Sequence, residues 1–187
     1  MVERQAEPGL LRTLREKGQN FSILAYASSG NPRLLLKTVS KSGSLAASEI
    51  NQTIREFYRD QIWTEHSQLA SVYTGHRGIV DWGRTFIESN VLRSLKSRND
   101  ETLVSATPRT ALAIWIHRDA PKRAHQGLNI LQYTGILKEH ALGMKATRGE
   151  IGTRFLVNLG CILSMESNPA QTGFQLVKAS DPRRMIE

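Results

Sequence analysis

Apolar positions recur at helical spacing over the first hundred residues of this chain, and the rhythm changes after that. Pro8 suits a first helical turn, and Leu10, Leu11 and Leu14 follow it at helical intervals, so a short helix is predicted there. Gly18-Gln19-Asn20 breaks it, and Asn20 is placed to cap a second helix carrying Phe21, Leu24, Ala25 and Ala27, which stops at Ser28-Ser29-Gly30. Asn31 is a natural N-cap for a third helix running to about Lys41, with Pro32 in the first helical position, where its missing N–H costs nothing. After a break at Ser42-Gly43-Ser44, with Ser48 as cap, Ile50, Ile54 and Phe57 mark a helix over 47–58. Residues 60–73, with Ile62, Trp63, Leu69 and Tyr73, and residues 79–97, with Ile79, Trp82, Phe86, Ile87, Val91, Leu92 and Leu95, continue the pattern on either side of Gly75-His76-Arg77-Gly78.

Beyond Leu95 the stretch Ser97 to Glu101 is polar and turn-prone, and it is the predicted boundary between subdomains. Ala111 to Ile116 is a short apolar run open to two readings, strand or buried helical turn, and is taken as a strand. Asp119 is placed to cap a helix with Pro121 in its first turn, with Ala124, Leu128 and Leu131 as its buried stripe, ending after Tyr133 at Thr134-Gly135. Ile136–His140 and Arg154–Asn158 have the character of two short strands, separated by the glycine-rich, basic stretch Gly143–Gly152. A helix, a glycine stop, a strand, a basic loop and a returning strand is the order of elements in a winged helix-turn-helix, whose hairpin is the wing. The predicted architecture is therefore mostly α: a helical bundle over residues 1–78, then a winged-helix domain over 79–166 with a small β wing, clearest over 105–165. A last helix is predicted from Asn158 to about Met165. The tail, 167–187, has no strong pattern and is expected to be partly disordered.

Composition narrows the partners. The net charge is +8 and the 25 lysines and arginines are spread along all 187 residues, a balance that favours a polyanion, nucleic acid first. The apolar runs are far shorter than the ~20 residues of a membrane-spanning helix, which excludes a membrane partner of that kind. The N-terminus mixes both charges without an apolar core, so the expected compartment is the cytoplasm. Cys161, the only cysteine, excludes an intrachain disulfide and a multi-thiolate metal site, and its apolar neighbours predict a buried, structural thiol. His66, His76, His117, His125 and His140 show no short-range metal spacing. Ser67 and Ser164 lack a nucleophile setting, Trp63, Trp82 and Trp115 are predicted core, and no cofactor site emerges.

Gly30-Asn31-Pro32-Arg33, between a short helix and an apolar one, resembles the second-sensor motif in the lid of AAA+ ATPases related to origin-recognition proteins, and of the signal-transduction (STAND-type) P-loop ATPases that share that lid. The resemblance spans residues 8 to 165 as an order of elements, and these four residues match as a motif. It implies that the helical bundle is an ATPase lid followed by a winged helix. Gly30, Asn31 and Arg33 would be the nucleotide-sensing residues, with the Arg33 side chain reaching the γ-phosphate. A helix N-terminus attracts anions, and an arginine adds bidentate contacts to phosphate. The chain has no Gly-x-x-x-x-Gly-Lys-Ser/Thr loop and no strand ending in an acidic pair, so it is expected to be no enzyme alone. ATP would be bound only in a larger assembly with an ATPase core domain or subunit.

In the winged helix, Lys122, Arg123, Gln126 and Asn129 lie opposite the buried stripe and suit phosphates and base edges in a major groove, while Lys145 and Arg148 in the wing and Arg154 at its base add positive charge. The expected function is a non-catalytic lid and winged-helix module that contacts duplex DNA or couples nucleotide state to regulation. Two alternatives remain. One is a free-standing winged-helix regulator whose helical half makes a homo-oligomer, and the other is a winged-helix adaptor that holds a protein.

Overall fold

The computed structural model describes residues 8–104, 111–146 and 148–179, and these are mostly helical with one small sheet. Three short helices come first: α1 (Pro8–Glu16), α2 (Gly18–Ala27) and α3 (Pro32–Lys41). Two long helical runs follow. α4 (Ala47–Arg55) passes through a π-helical segment, Glu56–Gln61, into α5 (Ile62–Val72), and α6 (Arg77–Thr85) passes through a second, Phe86–Val91, into α7 (Leu92–Leu103). The predicted gap between residues 58 and 60 is thus a wide turn inside one helix. Each π turn takes in an extra residue, and in the first this keeps Ile54 before it, Phe57 and Tyr58 within it and Ile62, Trp63 and His66 after it all facing the core.

After α7 come β1 (Ala113–His117), α8 (Lys122–Tyr133), β2 (Leu137–Lys145), β3 (Ile151–Val157), α9 (Leu159–Leu163) and α10 (Pro169–Ala179). The strands form one antiparallel sheet in the order β1-β3-β2, with Trp115 opposite Arg154 and His117 opposite Gly152. One helix, α8, stands between β1 and β2, and the helix it packs on is the much earlier α6. A single apolar cluster takes in Leu24, Ile54 and Trp63 from the helical half and Leu128, Ile136 and Phe155 from the sheet half, so the core is continuous across residues 78 and 79.

Several boundaries differ from the sequence expectation for identifiable reasons. Residues 97–101 are helical rather than a turn: Lys96 pairs with Asp100 and Ser97 with Glu101 at helical spacing, and buried Asn99 bonds both backbone groups of Ala111 (3.1 and 2.6 Å). The described part of the tail is likewise ordered. α10 begins at an Asn168-Pro169 pair, whose asparagine accepts from Gln171 N, and it buries Ala170 and Leu176. Asn20 lies inside α2 and donates to Leu45 O (2.8 Å) instead of capping. Ala46, not Ser48, precedes α4, where Glu49 accepts from Ser44 N. Asp119 is drawn to Arg118 and His117, leaving Pro121 in the cap position of α8.

Glycines sit where α8 crosses α6. A Cβ on Gly127 would stand 2.5 Å from the Trp82 ring, and one on Gly83 3.4 Å from Leu131. Trp82 is itself stacked on Phe86 at 5.2 Å. Gly127→Val is therefore expected to cost about 1–3 kcal/mol of stability by overpacking, read from the urea midpoint. A midpoint equal to that of the unsubstituted chain would mean that the helices do not cross this closely.

Candidate nucleic-acid interface

The register of the sheet brings Lys122, Lys145 and Arg148, of the predicted basic residues, to one end. β1 closes at His117 opposite Gly152, Gly152 is also opposite Met144, and Arg118 N donates to Ile151 O at 2.9 Å. The start of α8 and the tip of the β2–β3 hairpin therefore share that end. Lys122, Gln126 and Asn129 are exposed at intervals of four and three, one stripe of α8, which Tyr133 (78% exposed) extends. Ala124, Leu128 and Leu131, with Gly127, form the inward stripe as the sequence predicts. Arg123 is exposed yet folded back, with a guanidinium nitrogen 2.6 Å from where a Cβ on Gly78 would stand. It belongs to the α6 side of α8 rather than to the outer stripe.

The hairpin is longer than its two predicted strands. β2 and β3 run to Lys145 and from Ile151, and the tip is closed by Ala146 N to Glu150 O (2.8 Å) and Gly149 N to Ala146 O (2.9 Å). Lys145 and Arg148 are exposed at this tip. Arg154 is exposed on the sheet face shared with Trp115, and both line a groove against α7 with Phe86, Asn90 and Ser94. Trp115 is half-buried on the sheet rather than in the core, with its Nε1 donating to Met144 O at 3.2 Å and its ring close against Gly152. A residue that composition-based reasoning missed is Arg118, exposed at the same end, though its Nε is held by Asp119 at 3.3 Å.

The Gly30-Asn31-Pro32-Arg33 segment is in two parts. Gly30 (φ +78°) makes the turn, and the Asn31 side chain accepts from Arg33 N (3.0 Å) and Leu34 N, so the first-turn donors of α3 are already occupied. Ser29 to Pro32 face the turn that ends α8, across a cleft of about 360 Å³ lined also by Gln132, Gly135, Lys138 and Asn158. Ser29 Oγ accepts from Leu159 N (2.9 Å), and Asn158 donates to Gly135 O (3.2 Å). Arg33 points the other way, three-quarters exposed, 3.7 Å from Glu65 on α5, whose other oxygen takes Lys37 Nζ at 2.5 Å. Burial alone would raise the Glu65 carboxyl, but the bond from Lys37 and the charges of Lys37 and Arg33 hold it below its ordinary value.

Behind this surface His66 joins three helices. Fully buried on α5, it donates from Nε2 to Val80 O on α6 (3.0 Å) and sets Nδ1 3.4 Å from Thr134 Oγ1 at the end of α8. Burial pushes its pKa below the ordinary 6.5, opposed in part by the Val80 carbonyl. A histidine depressed in the folded state binds its proton more readily when unfolded, so this contribution to stability is complete above pH 6.5 and is lost as pH falls below it. The urea midpoint is expected to drop between about pH 7.5 and about pH 5.5, and by less in His66→Gln; an equal drop in both would remove His66 as the cause. Cys161 is fully buried with its thiol pushed up to about 12 by burial, which fits a structural cysteine.

Among the described residues no group of three metal-ligating side chains is assembled, and no helix is long and apolar enough to cross a membrane. Comparison with family models, with curated proteins and with solved structures returned no match.

Proposed function

We propose that this chain is the non-catalytic lid and winged-helix end of an origin-recognition-like or STAND-type ATPase, and that it contacts duplex DNA through the outer stripe of α8 and the tip of the β2–β3 hairpin. The observation that carries the DNA contact is the gathering of Lys122, Lys145 and Arg148, all exposed, at one end of the sheet beside the polar stripe of Gln126 and Asn129. Lysine and arginine there draw in phosphates, and the amide side chains suit base edges. The strand order β1-β3-β2 with α8 leading into the hairpin supports reading α8 as the groove-facing helix and the hairpin as the wing.

The lid half of the proposal has its own support in Asn31 capping α3 with Pro32 at its first position, and in Arg33 projecting from the first turn towards solvent. Because the cap occupies the backbone donors, Arg33 would meet a phosphate by its side chain alone, leaving Glu65 to do so. The Ser29–Leu159 and Asn158–Gly135 bonds tie this turn to the end of α8, a physical joint through which nucleotide state in an assembled ATPase would reach the DNA-facing helix.

The test is fluorescence anisotropy of a labelled random duplex at low and at physiological salt. Binding that weakens steeply with salt, and is weakened further by Lys122→Glu, is expected. No binding at low salt would overturn the proposal.

A further inference from the structure

β2 departs twice from its ladder with β3 within a few residues. Glu139 is opposite Phe155 and Ala141 opposite Arg154, and then Met144 opposite Gly152, so His140 is extra in the first step and one further residue is extra in the second. Gly143, at φ +65°, takes the left-handed conformation that such a bulge requires and that a side chain at this position would resist. Bulges turn side chains out of the sheet, and here the consequence is plain: Leu142 is 70% exposed, and Met144 follows at 39%. A leucine that exposed on a strand, immediately after the half-buried Ala141, has little packing role among the described residues.

Its surroundings are charged and mostly of one sign. Lys138, His140, Lys145 and Arg154 lie on the same two strands and Arg148 at the tip between them, against Glu139 and Glu150. The base is braced, because the Trp115 indole holds the Met144 carbonyl immediately after the bulge and the Trp115 ring lies against Gly152. A rigid ribbon with a projecting apolar side chain between basic ones is the shape of a minor-groove wedge, in which a leucine or methionine partly unstacks a base step while cations hold the backbones. An apolar protein site would not call for this excess of positive charge along the hairpin, and a polyanion does.

We propose that Leu142 is such a wedge: carried out of the hairpin by the double bulge, it enters the minor groove and opens one base step while Lys145 and Arg148 engage the flanking phosphates. This rests on the reading of the hairpin as a DNA contact and adds a mode of binding to it.

The experiment pairs anisotropy with permanganate oxidation of thymines in an A·T-rich duplex, which reports unstacking wherever it occurs. At saturating protein, thymine reactivity is expected to rise several-fold over free duplex. In Leu142→Ala it should fall back to the free level with only a modest loss of affinity, and Leu142→Phe should retain it. Binding by anisotropy with no rise in reactivity, or with an equal rise in Leu142→Ala, would overturn the wedge and leave the DNA contact standing. No binding at all would overturn both. Because Leu142 is exposed, neither substitution endangers the fold.

Discussion

Replacing Phe57 by alanine is expected to lower the unfolding free energy by about 3–5 kcal/mol, out of a total of about 5–15 kcal/mol for a domain of ordinary stability. Phe57 lies in the first π turn, is 1% exposed, meets the Tyr58 ring edge-on at 5.0 Å and carries Lys37 Nζ over its face at 5.9 Å. Truncation leaves a cavity that the neighbours cannot close. Tyr58 is pinned against Gly160, where a Cβ would stand 2.4 Å from its ring, and Lys37 is held by Glu65. The loss would appear in the urea midpoint with unchanged denaturant dependence. A loss below about 1 kcal/mol would mean that the π turn relaxes to fill the space.

The largest functional effect is expected from removing the basic end of the sheet as a unit. On B-form DNA each phosphate contact contributes about 0.9 to the slope of log affinity against log salt. Exchanging Lys122, Lys145 and Arg148 for alanine should therefore flatten that slope by about 2.7 and weaken binding strongly at low salt. All three side chains are exposed, so the substituted chain should keep its helical content and unfolding midpoint. A lower affinity with an unchanged slope would place the phosphate contacts elsewhere. The same change at Arg123, whose guanidinium is turned over Gly78, should alter the slope less than any of the three.

What the sequence shows of this molecule depends on how local each determinant is. Asn31-Pro32 is a cap and a first-turn proline within two residues, and the structure has both. Asn168-Pro169 is the same pair, yet the polar composition around it hid a helix whose burial depends on distant partners such as Ile23 and Leu163 packed at Gly173. The α8 stripe was readable from period alone, because the inward positions are apolar on every turn. The retreat of Arg123 was not, since it depends on a glycine at position 78 brought near by tertiary packing. The π turns and the bulges of β2 share a cause: each inserts a residue into a regular element, which breaks the period that sequence analysis relies on. That is why residues 47–73 read as two helices, although 79–97 read as one across the second π turn, and why Gly143–Gly152 read wholly as loop where residues 143–145 and 151–152 are ladder.

The measurement that tests the central claim most directly is lysine footprinting by acetylation and mass spectrometry, with and without saturating duplex DNA. The account predicts that Lys122 and Lys145 become slow to react on binding while Lys17 and Lys41, on the helical half, are unchanged. Protection of Lys17 and Lys41 with Lys122 and Lys145 still reactive would contradict it.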